Sequence, residues 1–207
     1  LPARPTPTTG AITEIEPHSQ VGELRFVEFG SEGEESVIDA LAFSEYATGQ
    51  RIGKVRVQVP CQGLFAEGYR FIDTPGLQSL NQTHTDITFG YLPFLDGVVL
   101  CHDVARGDLP RTVLDFMTRP DVHPILHRFL VVLTCADRKG LDGRQAVVAA
   151  AEAQLRELRV AMGGVVPPVV AVSAMKILEG DPEWTLQDFE AAFRQTFVAP
   201  RLAIEAE

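Results

Sequence analysis

The sequence predicts an α/β domain: a mostly parallel sheet flanked by helices on both faces. Two observations carry this. Strand and helix signals alternate along the chain. Three continuous apolar runs, GVVLC (97–101), FLVVLT (129–134) and PPVVAVSA (167–174), have the unbroken hydrophobicity of strands covered on both faces. A length of 207 residues suits one domain.

The elements follow in order. The chain opens with Leu1 and a stiff, hydroxyl-rich loop, RPTPTTG (4–10). Residues 11–16 alternate like an exposed strand. Residues 35–48 (ESVIDALAFSEYAT) have the spacing of an amphipathic helix, stopped by Gly49. KVRVQVP (54–60) alternates strictly, as a half-buried strand does. YRFID (69–73) is a short strand ending in the turn Thr74-Pro75-Gly76. Residues 83–95 read as a helix, and 143–162 as a long one. Residues 183–199 form a final helix, with Asp181 as N-cap and Pro182 in its first turn.

Composition excludes several classes. The net charge of −10 argues against nucleic acid as a partner and against simple electrostatic attachment to acidic lipid. No apolar run approaches the length of a membrane span. Cys61, Cys101 and Cys135 are an odd set without metal-like spacing, which points to a reducing compartment. His123 and His127 are four apart, but Pro124 between them weakens a metal reading. Cys101, inside an apolar run, reads as a core residue, and Trp184 as packing on the domain or on a helical bundle beyond it. Arg4 reads as solvated.

Ligands of open α/β sheets sit at the carboxyl ends of the strands. Three places there carry chemistry. Asp73 ends a strand and could hold a magnesium ion; Gly76, three residues on, lets a backbone N–H approach a phosphate. Asp137, after the strand at 129–134, could accept two N–H groups from one edge of guanine, a donor pair adenine lacks. Ser173 and Ala174 leave room for a backbone N–H to reach a base carbonyl, and the Lys176 stem could flank the base. Each has an ordinary alternative: a Pro-Gly turn, a helix cap, a strand leaving the core.

Taken together, "DTPG", "TxxD" (Thr134 to Asp137) and "SAxK" come in the order of a GTP-binding domain. The stretches RPTPTTGAITEIEP, VQVPCQGLFAEGYRFIDTPGL and HTDITFGYLPFLDGVVLCHDV resemble the GTPase domain of bacterial dynamin-like proteins. The segment between the opening loop and DTPG is also similar to that family. The resemblance covers nearly the whole chain and is most specific in the first 105 residues.

The resemblance implies a P-loop GTPase fold, here a single domain over 1–207 that lacks its first strand and helix. It implies GTP as substrate, GDP as product, and Mg2+ held by Asp73 and Thr9. Thr9, in the first switch, and Gly76 would hold the catalytic water and the γ-phosphate. Thr134, Asp137, Ser173, Ala174 and Lys176 would hold the base. It further implies a homodimer or homo-oligomer across the nucleotide face. Membrane remodelling would act through regions outside this chain, with a cytoplasmic, bacterial location peripheral to the inner membrane. The final helix (183–207) would lead into a helical bundle.

Two departures stand out. The phosphate-binding motif G-x-x-x-x-G-K-[S/T] is absent. The nearest approach, Gly49 to Lys54, is one residue short, is followed by Val55, and opens a strand. The family places the phosphate loop before Leu1. Second, Cys135 stands where the family has a lysine that packs over the guanine and braces the phosphate loop. The alternative is therefore a degenerate pseudo-GTPase acting as a scaffold or dimerisation module. A non-GTPase hydrolase has little support, since there is no G-x-S-x-G elbow.

Overall fold

The computed structural model describes residues 11–48, 50–51, 53–74, 92–162 and 164–199. The chain divides into two compact units, residues 1–93 and 94–207. It is α/β throughout.

The first unit holds five strands: β1 (Ala11–Pro17), β2 (Arg25–Phe29), β3 (Glu35–Ile38), β4 (Gly53–Val59) and β5 (Phe71–Asp73). Their order is β3-β2-β4-β1-β5. Only β1 and β4 pair in parallel; the other neighbours are antiparallel. The alternation of β4 is a two-faced strand. Val55, Val57 and Val59 are buried, and Val55 packs with Tyr46, Ile38 and Phe43 under helix α1 (Ala40–Ala47). Phe26 of β2 stacks on Phe43 at 4.5 Å. The other face carries charge: Lys54 pairs with Glu14 at 2.7 Å, and Arg56 with Glu35 at 2.8 Å. A slip of one residue would exchange the two faces, so this pattern also fixes the register.

The expected helix over 35–48 begins as strand. Residues 35–38 pair with β2, a strand whose mixed RFVEF pattern gave no clear signal. The helix starts only after Asp39, whose carboxylate accepts the Ala42 N–H at 2.8 Å as an N-cap. The hairpin before it turns at Gly33, where φ is +85° and glycine is favoured. Lys54 lies inside β4, paired to Glu14 across the sheet.

The second unit holds three parallel strands, β6 (Val98–Asp103), β7 (Phe129–Thr134) and β8 (Val169–Ala171), in the order β6-β7-β8. β7 is central, and Phe129 to Leu133 are all buried. Helices α2 (Arg111–Met117), α3 (Gly140–Met162), α4 (Ala174–Leu178) and α5 (Gln187–Phe193) complete the unit. α3 packs against β8, and α5 against β7 and β8. Trp184 is buried in this unit, with the Arg144 guanidinium of α3 5.1 Å from its ring centre.

Several boundaries differ from expectation. The strand read over 167–174 is only three residues long, because the Ser173 hydroxyl already accepts the Lys176 N–H at 3.3 Å and starts α4. The final helix starts at Gln187. Asp181 instead accepts the Glu183 N–H, and its carbonyl the Trp184 N–H, forming a turn that delivers the indole to the core. Of the helix expected over 83–95, residues 83–91 lie outside the described residues, and 92–94 form one 3-10 turn. Cys101 is exposed rather than in the core. His123 and His127 sit in a 3-10 turn (123–128), where residues three apart eclipse and residues four apart do not share a face.

Candidate functional site

The register of the second unit brings the strand ends together. Asp103 lies opposite Thr134 across β6 and β7, and Leu133 opposite Ala171 across β7 and β8. Beyond the last pair, the Val172 N–H donates to the Leu133 carbonyl at 2.8 Å and the Ala136 N–H to the Val172 carbonyl at 3.2 Å. The turn 134–139 and the turn 172–176 are therefore laced side by side by backbone bonds. Parallel pairing makes this unavoidable: strands running the same way release their loops at the same edge.

Asp137 sits half-buried in a one-turn 3-10 helix, 136–139. Lys176, on α4, pairs with Glu179 at 2.9 Å and lies 3.9 Å from Asp181. Its ammonium is held above its ordinary pKa by the Glu179 hydrogen bond first, then by the charges of Glu179, Asp181 and Asp137. Asp137 and Lys176 thus belong to one electrostatic neighbourhood. Ser173 is fully buried and spends its hydroxyl on capping α4; Ala174 is exposed beside it, and Thr134 is half-buried at the end of β7.

Cys135 is the one non-glycine residue with positive φ among the described residues, at φ 56° and ψ 33°. Left-handed backbone crowds Cβ against the carbonyl, which costs about 1–2 kcal/mol. This reversal turns the chain out of β7 so that Asp137 follows at once. Burial pushes the Cys135 thiol above its ordinary pKa; the charge of Asp103 adds to this, and that of Arg138 opposes it. The thiol is therefore a neutral, poorly nucleophilic group. Replacement by glycine should raise the thermal midpoint, while Cys135→Val should lower stability by about 1 kcal/mol or more, since a β-branched residue suits this conformation least. Thermal denaturation of both variants checks the sign.

In the first unit, Asp73 ends β5 opposite Thr13 of β1, which is buried. The Asp73 Oδ2 is buried and has no hydrogen-bond partner among the described residues. Burial pushes its carboxyl above the usual aspartate range. An orphaned buried carboxylate oxygen at a strand end fits a cation ligand, direct or through water. The linkage sign follows from the raised value. Stability from this group is present below the ordinary aspartate range and is lost as pH rises through the folded-state pKa. In metal-free buffer Asp73→Asn should therefore raise the thermal midpoint at neutral pH. The gain should vanish below about pH 4. A gain that is constant with pH would mean the charge is not its cause.

Thr9 and Gly76 lie outside the described residues. So do Arg4, Gly49 and the segment 200–207. The sequence reading passed over Asp103; Arg138 entered it only beside Lys139, as a cation that could compensate for Cys135. The signal for Asp103 was available, as a carboxylate closing the apolar run of β6. Among the described residues no group of three metal-ligating side chains gathers, and no helix is long and apolar enough to cross a membrane.

In the second unit these turns lie together at the carboxyl edge of a parallel sheet, where ligands of α/β folds sit. Comparison with known proteins places the fold further. No family model matches the chain. Two solved structures of an oligomerised bacterial dynamin pair superpose over 91% and 90% of it, with TM-scores of 0.58 and 0.60 at 17% and 15% identity. The chain covers 30% and 29% of those structures' chains. The isoniazid-induced protein IniA of Mycobacterium tuberculosis is 33% identical over 131 residues, 63% of this chain and 19% of IniA. Elongation factor Tu 2 of Streptomyces avermitilis is 36% identical over 93 residues, 44% of this chain and 22% of the factor. The chain thus spans about a fifth of the length of these curated relatives. Its fold is that of a dynamin-like GTPase domain.

Proposed function

We propose that residues 1–207 are the guanine-nucleotide-binding part of a dynamin-like mechanochemical GTPase, forming a single domain with the missing phosphate-binding segment. The carrying observation is the laced pair of turns that sets Thr134, Asp137, Ser173 and Lys176 at one sheet edge in the second unit. In this reading the Asp137 carboxylate accepts both N–H groups of the guanine edge. The Ala174 backbone N–H meets the base carbonyl, and the Lys176 stem flanks the base. Ser173 positions this turn by capping α4.

Asp73 is the magnesium-side carboxylate, with Thr9 in the role of the switch threonine and Gly76 in that of the backbone N–H donor to the γ-phosphate. Bound magnesium would supply charge neutralisation for the phosphates, and Asp73 would hold it through its buried carboxylate oxygen. The solved relatives are described as an oligomerised pair that senses and tethers membranes. By analogy this protein is proposed to dimerise across its nucleotide face and to act at a membrane through regions outside these residues, from the cytoplasm of a bacterium.

The second reading, a pseudo-GTPase scaffold, is favoured by one observation: Cys135 is short, neutral and partly buried where a lysine would brace base and phosphates. A nucleotide panel on the full-length protein separates the two. Saturable, magnesium-dependent GTP binding with ATP at least a hundredfold weaker, about 2.7 kcal/mol, is expected. Equal or no binding of either, with dimerisation retained, would establish the scaffold.

A further inference from the structure

Reading a base edge requires that Asp137 be held still, yet the turn that carries it opens on a strained residue. One side of that turn is fastened by the Ala136–Val172 backbone bond. We propose that Asp103 is a positioning residue that fastens the other side, holding the turn 135–139 through Arg138. This rests on the reading of Asp137 as the base acceptor.

The geometry divides the Asp103 carboxylate between two tasks. Oδ1 accepts the Ala105 N–H at 2.8 Å and so belongs to its own loop. Oδ2 faces Nη1 of Arg138 at 3.7 Å. The loop behind Asp103 is well braced. The His102 ring Nε2 bonds the Gly107 carbonyl at 2.9 Å. The Gln154 side chain of α3 holds the Leu109 backbone on both sides: its Oε1 accepts the Leu109 N–H at 3.1 Å and its Nε2 donates to the Leu109 carbonyl at 3.3 Å. Asp103 therefore stands on a fixed frame, while Arg138 is adjacent in sequence to Asp137. The 3-10 turn 104–106 packs against the 3-10 turn 136–139. Cys135 carries no cationic group, so the charge this carboxylate faces in the turn is that of Arg138. The pair does locally what a short, uncharged residue at 135 cannot: it ties the base-reading turn to the rest of the sheet edge.

The pair is partly exposed, so its effect should be modest, about threefold to fivefold. The test is the ratio of GTP to ITP affinity in the full-length protein, since inosine lacks the 2-amino group that Asp137 would bind. Asp103→Asn keeps an oxygen for the Ala105 N–H and removes the charge; Arg138→Met removes the partner. Each should lower the ratio by that factor without moving the thermal midpoint. Arg138→Lys should keep most of the ratio, and the double variant should be no worse than either single one. If the wild type prefers GTP and both single variants keep its ratio, or weaken GTP and ITP equally, this inference is overturned alone. A wild type that binds GTP and ITP equally overturns the base-reading proposal and this inference with it.

Discussion

Asp137→Asn in the full-length protein is expected to weaken GTP binding by about a hundredfold or more while sparing xanthosine triphosphate. The argument is a count of donors and acceptors. A carboxylate is acceptor-only and can take both guanine N–H groups at once. Asparagine has one acceptor oxygen, and its NH₂ group would meet a second donor. One guanine N–H is then unpaired in a half-buried turn, and two donors oppose each other. Xanthine carries a carbonyl where guanine carries the amino group, so the asparagine NH₂ finds a partner there. Calorimetry with both nucleotides reads the effect directly. Equal weakening would mean that Asp137 only shapes its 3-10 turn.

How much of this was legible depended on whether the signal was local. β7 was read to the residue because a strand covered on both faces needs a continuous apolar run, and FLVVL (129–133) supplies it before Thr134 ends the strand. β4 was nearly as plain, since its two faces meet a core and a charged lattice. β2 and β3 were not read. Their five and four residues form strands only by pairing, β2 with β3 and β4, a gain that no window on the sequence contains. The end of the 35–48 misreading was legible: Asp39 followed by a run of helix formers is an N-cap signal, and it was overridden by apolar spacing. At the site, residue types and order were readable, whereas the backbone lacing of the two turns, the left-handed Cys135 and the Asp103–Arg138 pair come only from register. Asp73 stood out as a strand-end carboxylate, but its orphaned oxygen is a property of packing.

The 207 residues alone are expected to bind GTP very weakly and to hydrolyse it negligibly, and a segment carrying the family's phosphate-binding strand, loop and helix is expected to restore binding. Phosphoryl transfer is mostly positioning and charge stabilisation. The phosphate loop would supply the backbone cradle, a lysine and one magnesium ligand. The sequence contains no G-x-x-x-x-G-K-[S/T], and its three lysines, Lys54, Lys139 and Lys176, are not in such a loop. Lys54 is committed to Glu14 and Lys176 to Glu179. A base pocket and Asp73 can orient a nucleotide but cannot neutralise a triphosphate. The strand edges add a second readout. Among the described residues β5 pairs only with β1, and β6 only with β7, so each leaves one backbone edge without a strand. Mid-strand Cys101 is exposed on β6. Unpaired edges are a liability that folds usually cover. Adding the segment, in cis or as a separate piece, should therefore slow amide exchange in 71–73 and 98–103 and protect Cys101 from alkylation. GTP binding at millimolar magnesium should appear together with that protection. Tight, magnesium-dependent GTP binding by the bare 207 residues would show that the phosphate site lies within them. Protection without GTP binding would keep the strand assignment and point instead to the scaffold reading, with Cys135→Lys as the variant to recover affinity.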